Sequence, residues 1–74
     1  MSDVELDATG LLCPLPVLKA RKRLKALGRG ERLIVLTDDP AALIDIPHFC
    51  SEAGHDLQAS ETAGSVSRWV IRKG

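Results

Sequence analysis

A cysteine followed by two prolines constrains this chain more than any other feature. Residues 10–16 read Gly-Leu-Leu-Cys-Pro-Leu-Pro, and a basic segment with helical apolar spacing follows. Proline is favoured at the first helical position and tolerated at the third, because neither N–H would have an intrahelical partner. The pattern predicts a helix with Cys13 as N-cap, Pro14 at N1 and Pro16 at N3, entered through a flexible turn at Gly10.

A thiol in this position predicts a reactive site. The positive end of a helix dipole stabilises a thiolate, so we expect a lowered pKa for Cys13. The prolines have no N–H, which leaves Leu15 and Val17 as the first-turn donors for the sulfur. There is no Cys-x-x-Cys pair in the chain. We expect a single exposed thiolate that accepts and hands on a small group; the alternative is a small, half-buried hydrophobic residue.

The first half of the chain predicts a strand, a helix and a second strand. Residues 4–8 alternate apolar and acidic side chains, which is typical of a short half-buried strand. The helix is predicted from Pro14 to about Leu27, ended by Gly28. Residues 32–37 are almost all apolar and rich in β-branched side chains, as in a buried strand.

The second half predicts another helix and a closing pair of strands. Asp39 is the expected N-cap and Pro40 the first helical residue. Pro47 should kink this helix or split it into pieces near 40–45 and 46–54. Strands are expected at 55–62 and 65–72, joined around Gly64.

The predicted order is therefore βαβαββ. The first βαβ unit should be parallel and the closing hairpin antiparallel. We expect two helices on one face of a four-stranded mixed sheet, which is a two-layer α/β sandwich formed by one domain over residues 1–74.

Composition excludes several classes of protein. The 74 residues carry no net charge, so bulk electrostatics favours neither nucleic acid nor a membrane as a direct partner. Two distant cysteines do not form a disulfide framework, and no apolar run approaches the roughly 18 residues that span a bilayer. The N-terminus has no apolar signal region. We expect a cytoplasmic protein that is monomeric when free.

Several residues that resemble site residues are interpreted as structural. Cys50 lies on the apolar face of its helix and is interpreted as a core thiol. His48 and His55 lack the spacing of a zinc site, so we expect no metal and no cofactor. Asp38 and Asp39 are interpreted as cap residues and not as general acids or bases.

The first helix carries a basic face. Arg21 and Lys25 are four residues apart and share that face, with Lys22 beside them. We predict that these three residues dock a partner, and the alternative is a solvated surface.

The motifs resemble one known family. Residues 6–16, the Asp38-Asp39-Pro40 stretch, residues 45–50 and the closing residues 70–73 are similar to the TusA/SirA family of small sulfur-carrier proteins. The similarity extends over about residues 4–73. It implies the fold of the C-terminal domain of bacterial translation initiation factor 3.

The resemblance also implies a function. Cys13 would accept sulfane sulfur from a cysteine desulfurase or rhodanese-type donor, hold it as a persulfide and pass it to an acceptor protein. The end point would be thiolation of the tRNA wobble uridine or cytoplasmic sulfur oxidation. The residues expected to shape the turn and helix start around Cys13 are Asp7, Gly10, Pro14, Leu15 and Pro16.

Two other functions remain open from the sequence. One is a regulatory or ribosome-associated RNA-binding module, although aromatic residues make up only 3% of the chain and offer no platform for base stacking. The other is a redox protein that forms a Cys13–Cys50 disulfide, which the expected burial of Cys50 disfavours.

Overall fold

Six elements follow one another in the order βαβαββ in the computed structural model, which describes residues 3–74. The strands are β1 (Asp3–Asp7), β2 (Arg32–Thr37), β3 (Asp56–Ala63) and β4 (Val66–Arg72), and the helices are α1 (Leu15–Ala26) and α2 (Ala42–Ala53). The predicted order is confirmed. Each helix has 12 residues, and no helix in the described part of the chain is long and apolar enough to cross a membrane.

The sheet is mixed, with strand order β1-β2-β4-β3. β1 runs parallel to β2, in a register that pairs Asp3 with Arg32 and Asp7 with Leu36. β4 is antiparallel to both β2 and β3. The predicted parallel first unit and antiparallel closing hairpin are both confirmed. β2 and β4 form the centre of the sheet, and β3 is an edge strand.

The core lies between the two helices and one face of the sheet. Side chains alternate across a strand, and Val35 pairs with Trp69 and Leu33 with Ile71 on the inner face. All four are at most 3% exposed. The two helices contribute Ala20, Leu24, Ala42, Ile46 and Cys50 to this buried core. Each buried side chain of the size of leucine contributes about 1.5–3 kcal/mol, which makes this layer the main source of stability.

A buried hydrogen bond connects the two central strands. The indole N–H of Trp69 donates to Thr37 Oγ1 at 2.9 Å, and both residues are buried. Tryptophan N–H groups need a partner when they leave water. Side chains alternate along β4, so Trp69 and Ile71 face the core while Arg72 is exposed.

The bounds of α1 differ slightly from the prediction. Pro14 is the N-cap, so the helix begins at Leu15 and Cys13 precedes the cap by one residue. The helix ends at Ala26 because Leu27 is extended (φ −90°, ψ 154°). The N–H of Gly28 is instead bound by the Glu31 carboxylate, which turns the chain toward β2.

α2 corrects the prediction about Pro47. The helix is continuous through this proline, so the predicted split is wrong. Proline removes the bond to the carbonyl four residues earlier, that of Leu43. Leu43 is 50% exposed and Pro47 is half-buried, so this part of the helix lies near solvent, where a missing backbone bond costs least. The predicted end is confirmed, because Gly54 adopts the left-handed conformation (φ 77°) that favours glycine.

Candidate functional site

The loop between β1 and α1 begins with a side-chain turn. Asp7 Oδ1 accepts hydrogen bonds from the backbone N–H of Thr9 at 3.0 Å and from its hydroxyl at 2.6 Å. These bonds lower the pKa of Asp7. Gly10 follows with φ 80°, a conformation that side chains disfavour. Asp7 and Gly10 thus have the turn-forming geometry that the sequence predicted.

Two carboxylates in the loop after β2 bind backbone N–H groups of the loop between β1 and α1. Asp38 Oδ1 accepts from the N–H of Gly10 at 2.9 Å, and Asp39 Oδ2 accepts from the N–H of Cys13 at 2.6 Å. Asp39 Oδ1 also accepts from the N–H of Ala41 at 3.2 Å, just before α2. Ala41, and not Asp39, is the N-cap of α2. The predicted cap residue therefore supports both the start of α2 and the position of Cys13.

The Cys13 thiol is exposed and points at a carboxylate. Its Sγ lies 2.8 Å from Oδ2 of Asp45, in the first turn of α2, and donates to it. This hydrogen bond raises the pKa of Cys13, and desolvation and the charges of Asp45 and Asp39 raise it further. The predicted lowering of the Cys13 pKa is wrong, because the hydrogen bond to Asp45, desolvation and the charges of Asp45 and Asp39 all raise it.

The start of α1 leaves few N–H donors for the sulfur. Pro14 occupies the N-cap and has no N–H to offer. The N–H of Leu15 donates to the carbonyl of Leu12 at 2.9 Å. One of the two first-turn donors predicted for the sulfur is therefore already used, and Asp45 is the partner that the sulfur has.

A shallow cleft of about 380 Å³ opens beside the thiol. It is lined by Cys13, Pro14, Val17, Asp45, His48, Phe49 and Glu52, from the start of α1 and one face of α2. Large apolar side chains nearby in the sequence are exposed, with Leu12 at 70%, Leu15 at 45% and Ile44 at 75%. The cleft is thus open, and the residues that directly precede Cys13 and Asp45 expose large apolar side chains.

The remaining candidate residues lie elsewhere. Cys50 is 2% exposed, and burial raises its pKa to about 11, with a smaller effect of the Asp56 charge. The interpretation of Cys50 as a core thiol is confirmed. His55 Nδ1 accepts from the N–H of Gly74 at 3.1 Å. Within residues 3–74, no group of three or more His, Cys, Asp or Glu side chains is placed to hold a metal ion.

The basic residues of α1 are separate from the cleft. Arg21, Lys22 and Lys25 are exposed, and none of them lines the Cys13 cleft. They lie about 12 to 18 Å along the helix from Cys13, at 1.5 Å per residue. Lys22 borders a different hollow, beside Leu6 of β1.

The residue that sequence reasoning missed is Asp45. It lies 32 residues after Cys13 and belongs to a different element. Its position in the first turn of α2 is also what an ordinary helix start would contain, since acidic residues are favoured there. Only the packing of α2 against the loop brings its carboxylate to the sulfur.

Comparisons with known proteins agree with this geometry. The family model of the sulfurtransferase TusA matches residues 4–73, nearly the whole chain. Among solved structures, the chain is similar to a SirA-like protein from Desulfitobacterium hafniense, with 29% identity and a TM-score of 0.83. That match covers 96% of this chain and 97% of the other. The chain therefore belongs to the TusA family of sulfurtransferases, and this membership implies a role as a sulfur carrier.

Proposed function

We propose that this protein carries sulfane sulfur as a persulfide on Cys13. The observation that supports this most is the contrast between its two cysteines. Cys13 is exposed within the family's motif, whereas Cys50 is buried in the core. The donor is a cysteine desulfurase or a rhodanese-type protein, and the acceptor is another protein of a sulfur relay.

The transfer is an exchange at a sulfur–sulfur bond. The Cys13 thiolate attacks the outer sulfur of a donor persulfide, R–S–SH, and forms a new Sγ–S bond. The original S–S bond breaks, and its electron pair leaves with the donor sulfur as R–S⁻. The proton lost by Cys13 is matched by the one that R–S⁻ takes up, so the products are Cys13–S–SH and R–SH. Onward transfer repeats the exchange, with an acceptor thiolate as the attacking group.

The open site supports a carrier more than an enzyme with a small substrate. Ligand pockets enclose most of their ligand, whereas the Cys13 cleft is shallow and open. The residues just before Cys13 and Asp45, Leu12 and Ile44, expose apolar side chains. A partner protein can cover the cleft and supply the other half of the reaction site. Asp38 and Asp39 accept hydrogen bonds from the backbone N–H groups of Gly10 and Cys13 and so fix the loop, which limits the conformational entropy lost on docking.

The pathway served by the sulfur is also part of the proposal. We infer that the acceptor acts in thiolation of the tRNA wobble uridine or in cytoplasmic sulfur trafficking and oxidation. In either case the protein meets protein thiols and not RNA directly.

The test is the intact mass of the protein after incubation with a cysteine desulfurase and free cysteine. We expect a gain of one sulfur atom that a thiol reductant removes. Cys13→Ser should show no gain and keep its fold, because the hydroxyl can still donate to Asp45. Cys50→Ala is the matched control and should load normally. Loading of Cys13→Ser to the wild-type level would contradict the proposal.

A further inference from the structure

We propose that Asp45 masks Cys13 in the free carrier, holding the thiol proton and keeping the sulfur unreactive until a partner enters the cleft. This inference rests on the proposed function, because it concerns regulation of the same sulfur. Asp45 is thus a positioning residue that acts through Cys13.

The contact between the two residues is fixed from both sides. The backbone N–H of Asp45 donates to the carbonyl of Ala41 at 2.9 Å, which anchors the carboxylate on the first turn of α2. The backbone N–H of Cys13 is held by Asp39 at 2.6 Å. Two anchored backbones therefore place the side chains within reach of each other, and Sγ lies 2.8 Å from Oδ2.

The charges around the sulfur act in the same direction. On the α2 side, the cleft is lined by Asp45, His48 and Glu52. In the loop before α2, Asp39 accepts a hydrogen bond from the backbone N–H of Cys13. α1 contributes only uncharged residues to the lining. A thiolate here would face carboxylates at short range, whereas the thiol satisfies one of them. The hydrogen bond to Asp45, desolvation, and the charges of Asp45 and Asp39 raise the pKa of Cys13, which agrees with the geometry.

Loading with sulfur must break this contact. In Cys13–S–SH the Sγ atom has two covalent bonds and no proton, so it cannot donate to Asp45. The Asp45 contact therefore distinguishes the empty carrier from the loaded one. Attack by empty Cys13 requires the thiolate, and a cationic group of the partner beside Asp45 would release it. The partner that fits this cleft presents a lysine, an arginine or a helix N-terminus next to its persulfide.

The experiment is the pH profile of Cys13 alkylation by iodoacetamide, a small neutral reagent, with modified residues assigned by mass. For Asp45→Asn we expect the profile to move to lower pH and the rate at neutral pH to rise roughly three- to tenfold. Glu52→Gln is the matched control, since it removes one negative charge from the same cleft but no bond to the sulfur. It should leave the profile in place. Asp45→Glu should return the profile toward that of the wild type.

Two results would overturn the masking role. One is an Asp45→Asn profile that superimposes on the wild type, and the other is an equal shift in Glu52→Gln. If Asp45→Asn does not fold, Asp45→Ala gives the same comparison, because alanine is a strong helix former. Alkylation does not require sulfur transfer. A wild-type protein that never loads sulfur would refute the carrier proposal and leave this one standing.

Discussion

Replacing Asp39 by alanine should loosen the Cys13 loop and destabilise the whole domain. The carboxylate accepts two backbone hydrogen bonds, from Cys13 at 2.6 Å and from Ala41 at 3.2 Å. Hydrogen bonds to charged groups contribute about 1.5–3 kcal/mol each. The first bond is exposed and the second is long, so we take about 1 kcal/mol for each, the contribution of an ordinary hydrogen bond. The expected loss is about 2 kcal/mol.

The free energy of unfolding is measured by urea unfolding and the Tm by thermal unfolding, both followed by far-ultraviolet circular dichroism. In a domain of this size, 1 kcal/mol corresponds to a change in Tm of about 4–8 °C, so Tm should fall by roughly 8–16 °C. Asp39→Asn is the matched control, because its single side-chain oxygen can keep one of the two bonds and should limit the loss to about half. Amide hydrogen exchange at Cys13 should accelerate in the alanine variant.

A small effect would refute this reasoning. The free energy of unfolding of Asp39→Ala could lie within about 0.5 kcal/mol of the wild-type value, with the Cys13 amide still protected from hydrogen exchange. In that case water replaces the carboxylate without cost. Asp39 would then have no part in holding the loop.

Two further predictions concern the buried thiol and the basic face. Cys50→Ala should lose about 1 kcal/mol of stability in urea unfolding, because it leaves a small cavity. Its sulfur loading, measured by intact mass, should stay at the wild-type level. Loss of loading in the folded variant would contradict the core role of Cys50. The double variant Arg21→Glu, Lys25→Glu should slow sulfur transfer from a desulfurase, less so at high salt, while alkylation of Cys13 keeps its rate. Equal slowing of both reactions would show that these charges act on the thiol, and no slowing would make the face a solvated surface.

The element order could be predicted because its signals are local. The prolines after Cys13, the apolar run of β2 and the glycine at the end of α2 each act within a few residues of their own position. The same local rules offered a kink or a split at Pro47, and the split is wrong because the helix continues through this proline. A proline penalty is a free energy that tertiary packing can outweigh, so its outcome cannot be predicted from the segment alone.

The chemistry of the site was predictable only in part. The motif identified Cys13 as the candidate nucleophile and Gly10 as the turn residue, because both are properties of one short stretch. The direction of the Cys13 pKa shift depends on Asp39 and Asp45, which reach the sulfur from another element. The dipole of α1 is a property of that helix alone, whereas the charge beside the sulfur belongs to Asp45 of the neighbouring helix.

The single tryptophan gives this small domain a built-in optical reporter. Trp69 is the only tryptophan and the sequence contains no tyrosine, so fluorescence excited in the near ultraviolet arises from one side chain at the centre of the sheet. That indole is 3% exposed and bound to Thr37, and it does not line the Cys13 cleft. Its emission should move to longer wavelength only when the core opens to water. Variants that lose sulfur transfer but keep the wild-type emission spectrum would therefore have a chemical defect and an intact core.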